Sequence, residues 1–149
     1  MFVDVANIYR DAYAAAGHPG APEVGACWHG WVARDTASAH ERFEPRYRAY
    51  HQFTQALIRS VNPNPPPYLS APFDYAFLCE QGPAIVGSPE AFAERLSRLA
   101  EMLGAEVNLV KMDMGGAPRD EFLDMIALMG EEVLPLLRGT PDRRSGIAA

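Results

Sequence analysis

Lysine occurs once in this sequence, at Lys111, and the other basic residues are dispersed arginines. With 13 Lys and Arg against 19 Asp and Glu, the net charge is −6. A nucleic-acid surface needs clustered positive charge, so nucleic acid is not an expected partner. No apolar stretch approaches the roughly 20 residues that a membrane span requires. Met1 is followed by neither a basic region nor a cleavage site, so no secretory leader is expected. The only cysteines, Cys27 and Cys79, make neither a disulfide framework nor a metal-ligand pair by spacing. His40 and His51 lie about three helical turns apart, too far to share one metal, which leaves them surface roles. A dinucleotide-binding glycine fingerprint, a P-loop and a Gly-x-Ser-x-Gly elbow are all missing. The expectation is a cytoplasmic protein without metal, membrane or nucleic acid.

What is present is ordinary globular material: 48% of residues are hydrophobic and 21% charged, enough for one domain with a real core. Val5, Ile8, Tyr9, Ala12 and Tyr13 recur at helical intervals, and Gly17 with Pro19 ends that helix. The uncharged run VGACWHGWVA, residues 24–33, has the length and character of a strand covered on both faces. A helix capped at Thr36 or Ser38 follows, with Phe43, Tyr47, Tyr50, Phe53 and Leu57 as its stripe and a late start or kink expected at Pro45. Residues 60–83 carry six prolines and no hydrophobic period, which predicts no helix there longer than about two turns.

Ser88, Pro89 and Glu90 then start the clearest helix, with Phe92, Leu96, Leu99 and Leu103 buried and Gly104 closing it. EVNLVKM, residues 106–112, reads as a second strand. The turn DMGGAP leads to a last helix from Pro118 to Leu137, and the polar tail 139–149 reads as disordered. Strands alternating with helices predict parallel pairing of the two strands as neighbours. Two strands leave open sheet edges, so the sheet is expected to be incomplete.

The runs VGSPEAFAERLSRLAEMLG and EVNLVKMDMGGAPRDEFLDMIALMGEEVLPLLR resemble the C-terminal end of the luciferase-like monooxygenases, a family of flavin-dependent oxidoreductases. That family's late segment reads Val-Gly-Ser/Thr-Pro-Glu, a helix, a strand, then a helix ending in Glu-Val-x-Pro-x-Leu/Val-Arg. The run VGACWHGWVARD resembles the family's preceding strand, VGxHxHGFVAD, with Cys27 in place of the first histidine and His29 keeping the second. The resemblance covers roughly Val5 to Arg138. It implies a partial (β/α)8 TIM barrel, comprising the last two strands with their helices, over residues 1–138. A complete barrel takes about 250 residues, so strands one to six and most phosphate contacts are expected upstream.

The resemblance implies reduced FMN, or in some branches a deazaflavin, at the C-terminal mouth of the strands, together with a small-molecule substrate. It makes the proline-rich segment a mobile lid over the site. His29 and Asp113 are then the candidate catalytic residues, and Trp28, Lys111, Gly115 and Gly116 the candidate cofactor contacts. Each also has a plain structural reading. His29 between two tryptophans is equally a satisfied core histidine, Lys111 and Asp113 a solvated turn pair, and Gly115-Gly116 only a turn. Capping alone accounts for Ser88-Pro89-Glu90. Two functions follow: a flavin-dependent monooxygenase oxidising a small organic substrate with oxygen, or a non-catalytic barrel remnant that associates with a missing N-terminal barrel segment or with its own copies.

Overall fold

The computed structural model describes residues 2–65 and 67–138, without the side chains of Tyr68 and Leu69. The tail expectation for 139–149 lies outside the described residues. In chain order the elements are α1 (Phe2–Ala15), β1 (Gly25–Val32), α2 (Thr36–Val61), α3 (Pro67–Ser70), α4 (Tyr75–Glu80), β2 (Ala84–Gly87), α5 (Pro89–Leu103), β3 (Val107–Lys111), α6 (Arg119–Leu128), a π-helical turn (Met129–Val133) and α7 (Leu134–Arg138).

Parallel strands alternate with helices, as in a partial (β/α)8 barrel, and β1 pairs with β3 in parallel, setting Cys27 opposite Leu109 and His29 opposite Lys111. The sheet has three strands rather than two. Ala84–Gly87 forms β2, parallel to β1 with His29 opposite Ala84 and Trp31 opposite Val86. It is short, wholly buried and flanked by Pro83 and Ser88, and four residues are too few to show a period of their own.

The strand order is β2-β1-β3, whereas consecutive strands of a closed barrel are neighbours. β3 has crossed to the far edge of β1, and the helices accordingly cover both faces. On one face a Cβ at Gly30 would lie 2.8 Å from Val110 and 2.9 Å from the Phe92 ring of α5, and Trp28 meets Phe2 of α1 edge to face. On the other face α2 brings Tyr47 against His29 and the Arg46 guanidinium over Trp31.

Local choices follow from the residues. The Ser88 hydroxyl accepts from the Ala91 amide and Gly104 adopts φ 57° at the end of α5, whose stripe Phe92, Leu96, Leu99 and Leu103 is buried as its spacing predicts. Burial of each such side chain contributes about 1.5–3 kcal/mol. The cap of α2 is Asp35 rather than Thr36 or Ser38, and the helix runs unbroken through Pro45, without the late start expected there. In the last helix, Pro135 cannot donate to the carbonyl four residues back; the turn just before it widens to π geometry, with Leu134 donating to Met129. Between 60 and 83 the helices α3 and α4 span four and six residues, within the two-turn limit expected there.

The expected apolar stripe of α1 is not its buried face. Val5 is 62% and Ile8 68% exposed, and Phe53 and Leu57 of α2 are exposed as well. α1 is held instead by Phe2 on Trp28 and by Arg10 donating to the Leu103 carbonyl.

Candidate functional site

Alternation along β1 directs Cys27, His29 and Trp31 to one face and Trp28 and Gly30 to the other. His29 and Lys111 are register partners and so share a face. Lys111 is the last residue of β3, and its Nζ lies 4.0 Å from the centroid of the Tyr50 ring. His29 is packed edge to face by Tyr47 and Tyr50, with ring centroids 5.3 and 5.6 Å away. Its Nδ1 is 2.8 Å from the Tyr47 hydroxyl. Both tyrosines come from α2, the helix that immediately follows the strand carrying His29.

Burial, and secondarily the nearby Lys111 charge, push the His29 pKa from 6.5 down to about 4. The imidazole is therefore neutral across physiological pH, rather than poised to exchange protons at its ordinary value. Burial pushes the Tyr47 hydroxyl well above the usual phenol range, with Cys79 and Tyr50 adding to the effect. The site thus presents a neutral imidazole, a protonated phenol and one ammonium. Such a set can donate hydrogen bonds to, and attract, an oxygen that carries negative charge.

The other sequence candidates lie apart from this pair. Trp28 is buried on the opposite face, where its Nε1 donates to Asn108 Oδ1 at 2.9 Å. Asp113 is exposed, and its Oδ1 accepts from the Gly115 amide at 2.8 Å. Gly115 and Gly116 take φ 85° and 75°, so the pair builds the turn after β3 that only glycine adopts freely. With the Gly115 amide already bonded to a carboxylate, this turn is a poor cradle for phosphate. His29 and Lys111 form an edge able to attract an anionic group, and the described residues supply no phosphate cradle at Gly115-Gly116.

By helical spacing alone, Tyr47 and Tyr50 belong to a core stripe. Their spacing of three on the helix after β1 was the available signal, since it aims both toward one point on the preceding strand. His40 and His51, expected at the surface, are engaged too. His40 Nδ1 lies 2.6 Å from the Tyr75 hydroxyl, and His51 meets the Phe73 ring. Phe73 also contacts Tyr47 and Tyr75, and the Arg48 guanidinium covers its ring. The proline-rich segment is thereby tied to α2 through Phe73, through Tyr75 on His40, and through the Ala71 carbonyl, which accepts from Gln55. No group of His, Cys, Asp and Glu able to hold a metal occurs among the described residues.

A separate apolar groove of about 820 Å³ lies at the N-terminal end of β1, lined by Phe2, Val5, Tyr9, Val24, Cys27 and Trp28 among others. No helix among the described residues is long and apolar enough to cross a membrane.

No family model matches the chain, and no curated protein matches it. Solved structures do. The chain is similar in fold to the monooxygenase RslO1 from Streptomyces bottropensis, with TM-score 0.64 and 20% identity over 90% of this chain and 37% of that one. It is similar to the oxygenating constituent of 3,6-diketocamphane monooxygenase from the CAM plasmid of Pseudomonas putida, a type II Baeyer-Villiger monooxygenase solved with FMN; there the TM-score is 0.63 and the identity 17%, over 91% and 40% of the two chains. Riboflavin lyase RcaE, solved with modified FMN and riboflavin, matches at TM-score 0.56 and 20% identity, over 99% and 37%. The chain therefore has the fold of a piece of the luciferase-like flavin monooxygenases, and it spans about two-fifths of the length of the structures it matches.

Proposed function

We propose that this chain is part of a flavin-dependent monooxygenase that oxidises a small organic substrate, with reduced FMN and oxygen, at the edge where His29 and Lys111 meet. The observation that carries the reading is this pairing of a neutral imidazole and an ammonium on one sheet face, in a fold shared with flavin monooxygenases. FMN is favoured over a deazaflavin because two fold neighbours were solved with FMN or a modified FMN. The flavin would supply the redox chemistry. The protein's part is to attract and orient it. Lys111 draws negative charge to the strand end, and His29 donates a hydrogen bond there. The aromatic residues Tyr47, Tyr50 and Phe73 exclude water behind that contact. Asp113 orients the turn after β3.

A second reading has its own support. Val5, Ile8, Val107 and Leu109 are large apolar side chains left in the open, and β3 has no partner on its outer edge among the described residues. These features suit a piece that associates with further barrel strands, or with a second copy, without activity by itself.

The two readings part in one experiment. FMN is titrated into the chain, alone and with a polypeptide supplying the other strands of such a barrel, while flavin fluorescence and oxygen consumption are followed. The enzyme reading expects turnover in the complemented sample, and a fall of about 10²-fold with His29→Ala, the typical cost of losing one aligned donor. Turnover retained within about twofold, together with a sharply lower Tm, would make His29 a core residue. Association without flavin binding would favour the second reading.

A further inference from the structure

We infer that Tyr47 is a positioning residue that donates its phenol proton to His29 Nδ1, fixing the imidazole as the Nε2–H tautomer and so making His29 a hydrogen-bond donor at the site rather than a base. The inference deepens the proposed function, since it says what His29 offers to whatever occupies that strand end.

The argument is an accounting of protons. The Tyr47 hydroxyl and His29 Nδ1 are 2.8 Å apart, a full hydrogen bond, and either group can be the donor. Were Nδ1–H the donor, the phenol proton would need another acceptor. Tyr47 is only 3% exposed, and among the described residues its hydroxyl has no partner besides His29. A buried hydroxyl proton without an acceptor forfeits the hydrogen bonds that water gave it in the unfolded chain. Donation by the phenol leaves no such orphan: Nδ1 accepts, and the proton moves to Nε2 on a ring that is only half-buried.

The surroundings agree. The groups facing His29 are Tyr47 and Tyr50 from α2 and Lys111 from β3. None of them is an anion that would draw a second proton onto the ring. The depressed His29 pKa and the raised Tyr47 pKa keep one proton on each group at neutral pH. A ring held by one phenol and packed edge to face by two aromatic rings keeps its plane, so the Nε2–H direction is preset. The same reasoning removes His29 from the role of general base: the lone pair that would accept a proton is occupied by Tyr47.

The test reads the tautomer directly and needs neither flavin nor turnover, so its failure is distinct from failure of the monooxygenase reading. The chain carrying ¹⁵N-labelled histidine is examined by NMR at pH 7, with His29→Asn identifying the His29 signals. The expected result is a protonated, pyrrole-type Nε2 and an unprotonated, pyridine-type Nδ1. In Tyr47→Phe the preference for that tautomer should fall by roughly tenfold, the weight of one hydrogen bond. A pyrrole-type Nδ1 in the unsubstituted chain would overturn the inference, and that reading stands even if Tyr47→Phe fails to fold. A folded Tyr47→Phe with the tautomer ratio unchanged would overturn it as well.

Discussion

His29 and Lys111 face each other across the β1–β3 pairing, and among the described residues the lysine's ammonium is held over the Tyr50 ring rather than by a carboxylate. A cation beside an imidazole penalises protonation of the ring, but it is the lesser of two causes; burial is the larger. Lys111→Met should therefore raise the His29 pKa while leaving it below 6.5. Proton NMR titration of the ring measures the shift, and a pKa that stays put or falls would show that the lysine does not act on His29.

The same depressed pKa ties stability to pH. His29 binds its proton near pH 4 when folded and near 6.5 when unfolded. Between those values the unfolded chain holds more protons, so stability falls as pH drops from about 6.5 toward 4. His29→Gln should flatten that part of the curve. Equilibrium denaturation at several pH values reads it, and an equal pH slope in both proteins would place the titrating group elsewhere.

Gly30 and Gly130 form a matched pair of tests for the packing. A methyl group at Gly30 would meet Val110 and the Phe92 ring at under 3 Å, whereas one at Gly130 meets nothing within 4 Å. Gly30→Ala should cost about 1–3 kcal/mol through overpacking. Gly130→Ala should be neutral or stabilise by up to about 1 kcal/mol, since alanine is the better helix former. Thermal melts of both variants decide the matter, and a tolerated Gly30→Ala would refute the close approach of α5 to β1.

The sequence showed its long elements plainly because each carries a complete local signal. α5 has a serine cap, a proline at its first position, a four-residue stripe and a terminal glycine, and all four agree. β1 was legible as an uncharged run. β2 was not, because four residues between a proline-rich loop and a cap give no period. The order β2-β1-β3 was equally out of reach, because no local signal in a strand says which edge of an earlier strand it joins. At the site, His29 could be chosen as the one histidine in its apolar strand-like run, and Lys111 from its position at the end of the other. Tyr47 could not be told from its neighbours Phe43 and Phe53 by spacing, since a core tyrosine and a hydrogen-bonding one obey the same helical period. The exposed faces of α1 and β3 depart from the rule that apolar stripes are buried.

That surface gives the last prediction. Val107, Leu109 and Lys111 point to one face of β3, and Leu109 is 61% exposed with the exposed Cys27 opposite it on β1. Among the described residues no strand pairs with the outer edge of β3 beside this apolar strip, the combination that templates pairing with another strand. The purified chain should therefore self-associate at micromolar concentration. Leu109→Lys adds a charge in the middle of the strip without filling or emptying the core, so it should shift the population toward monomer while the Tm changes little. Sedimentation velocity across a concentration series measures this. A chain that is monomeric at every concentration would show that the strip is tolerated as plain surface. Association that persists unchanged in Leu109→Lys would move the contact to the groove around Val5 and Tyr9, where Val5→Lys repeats the test.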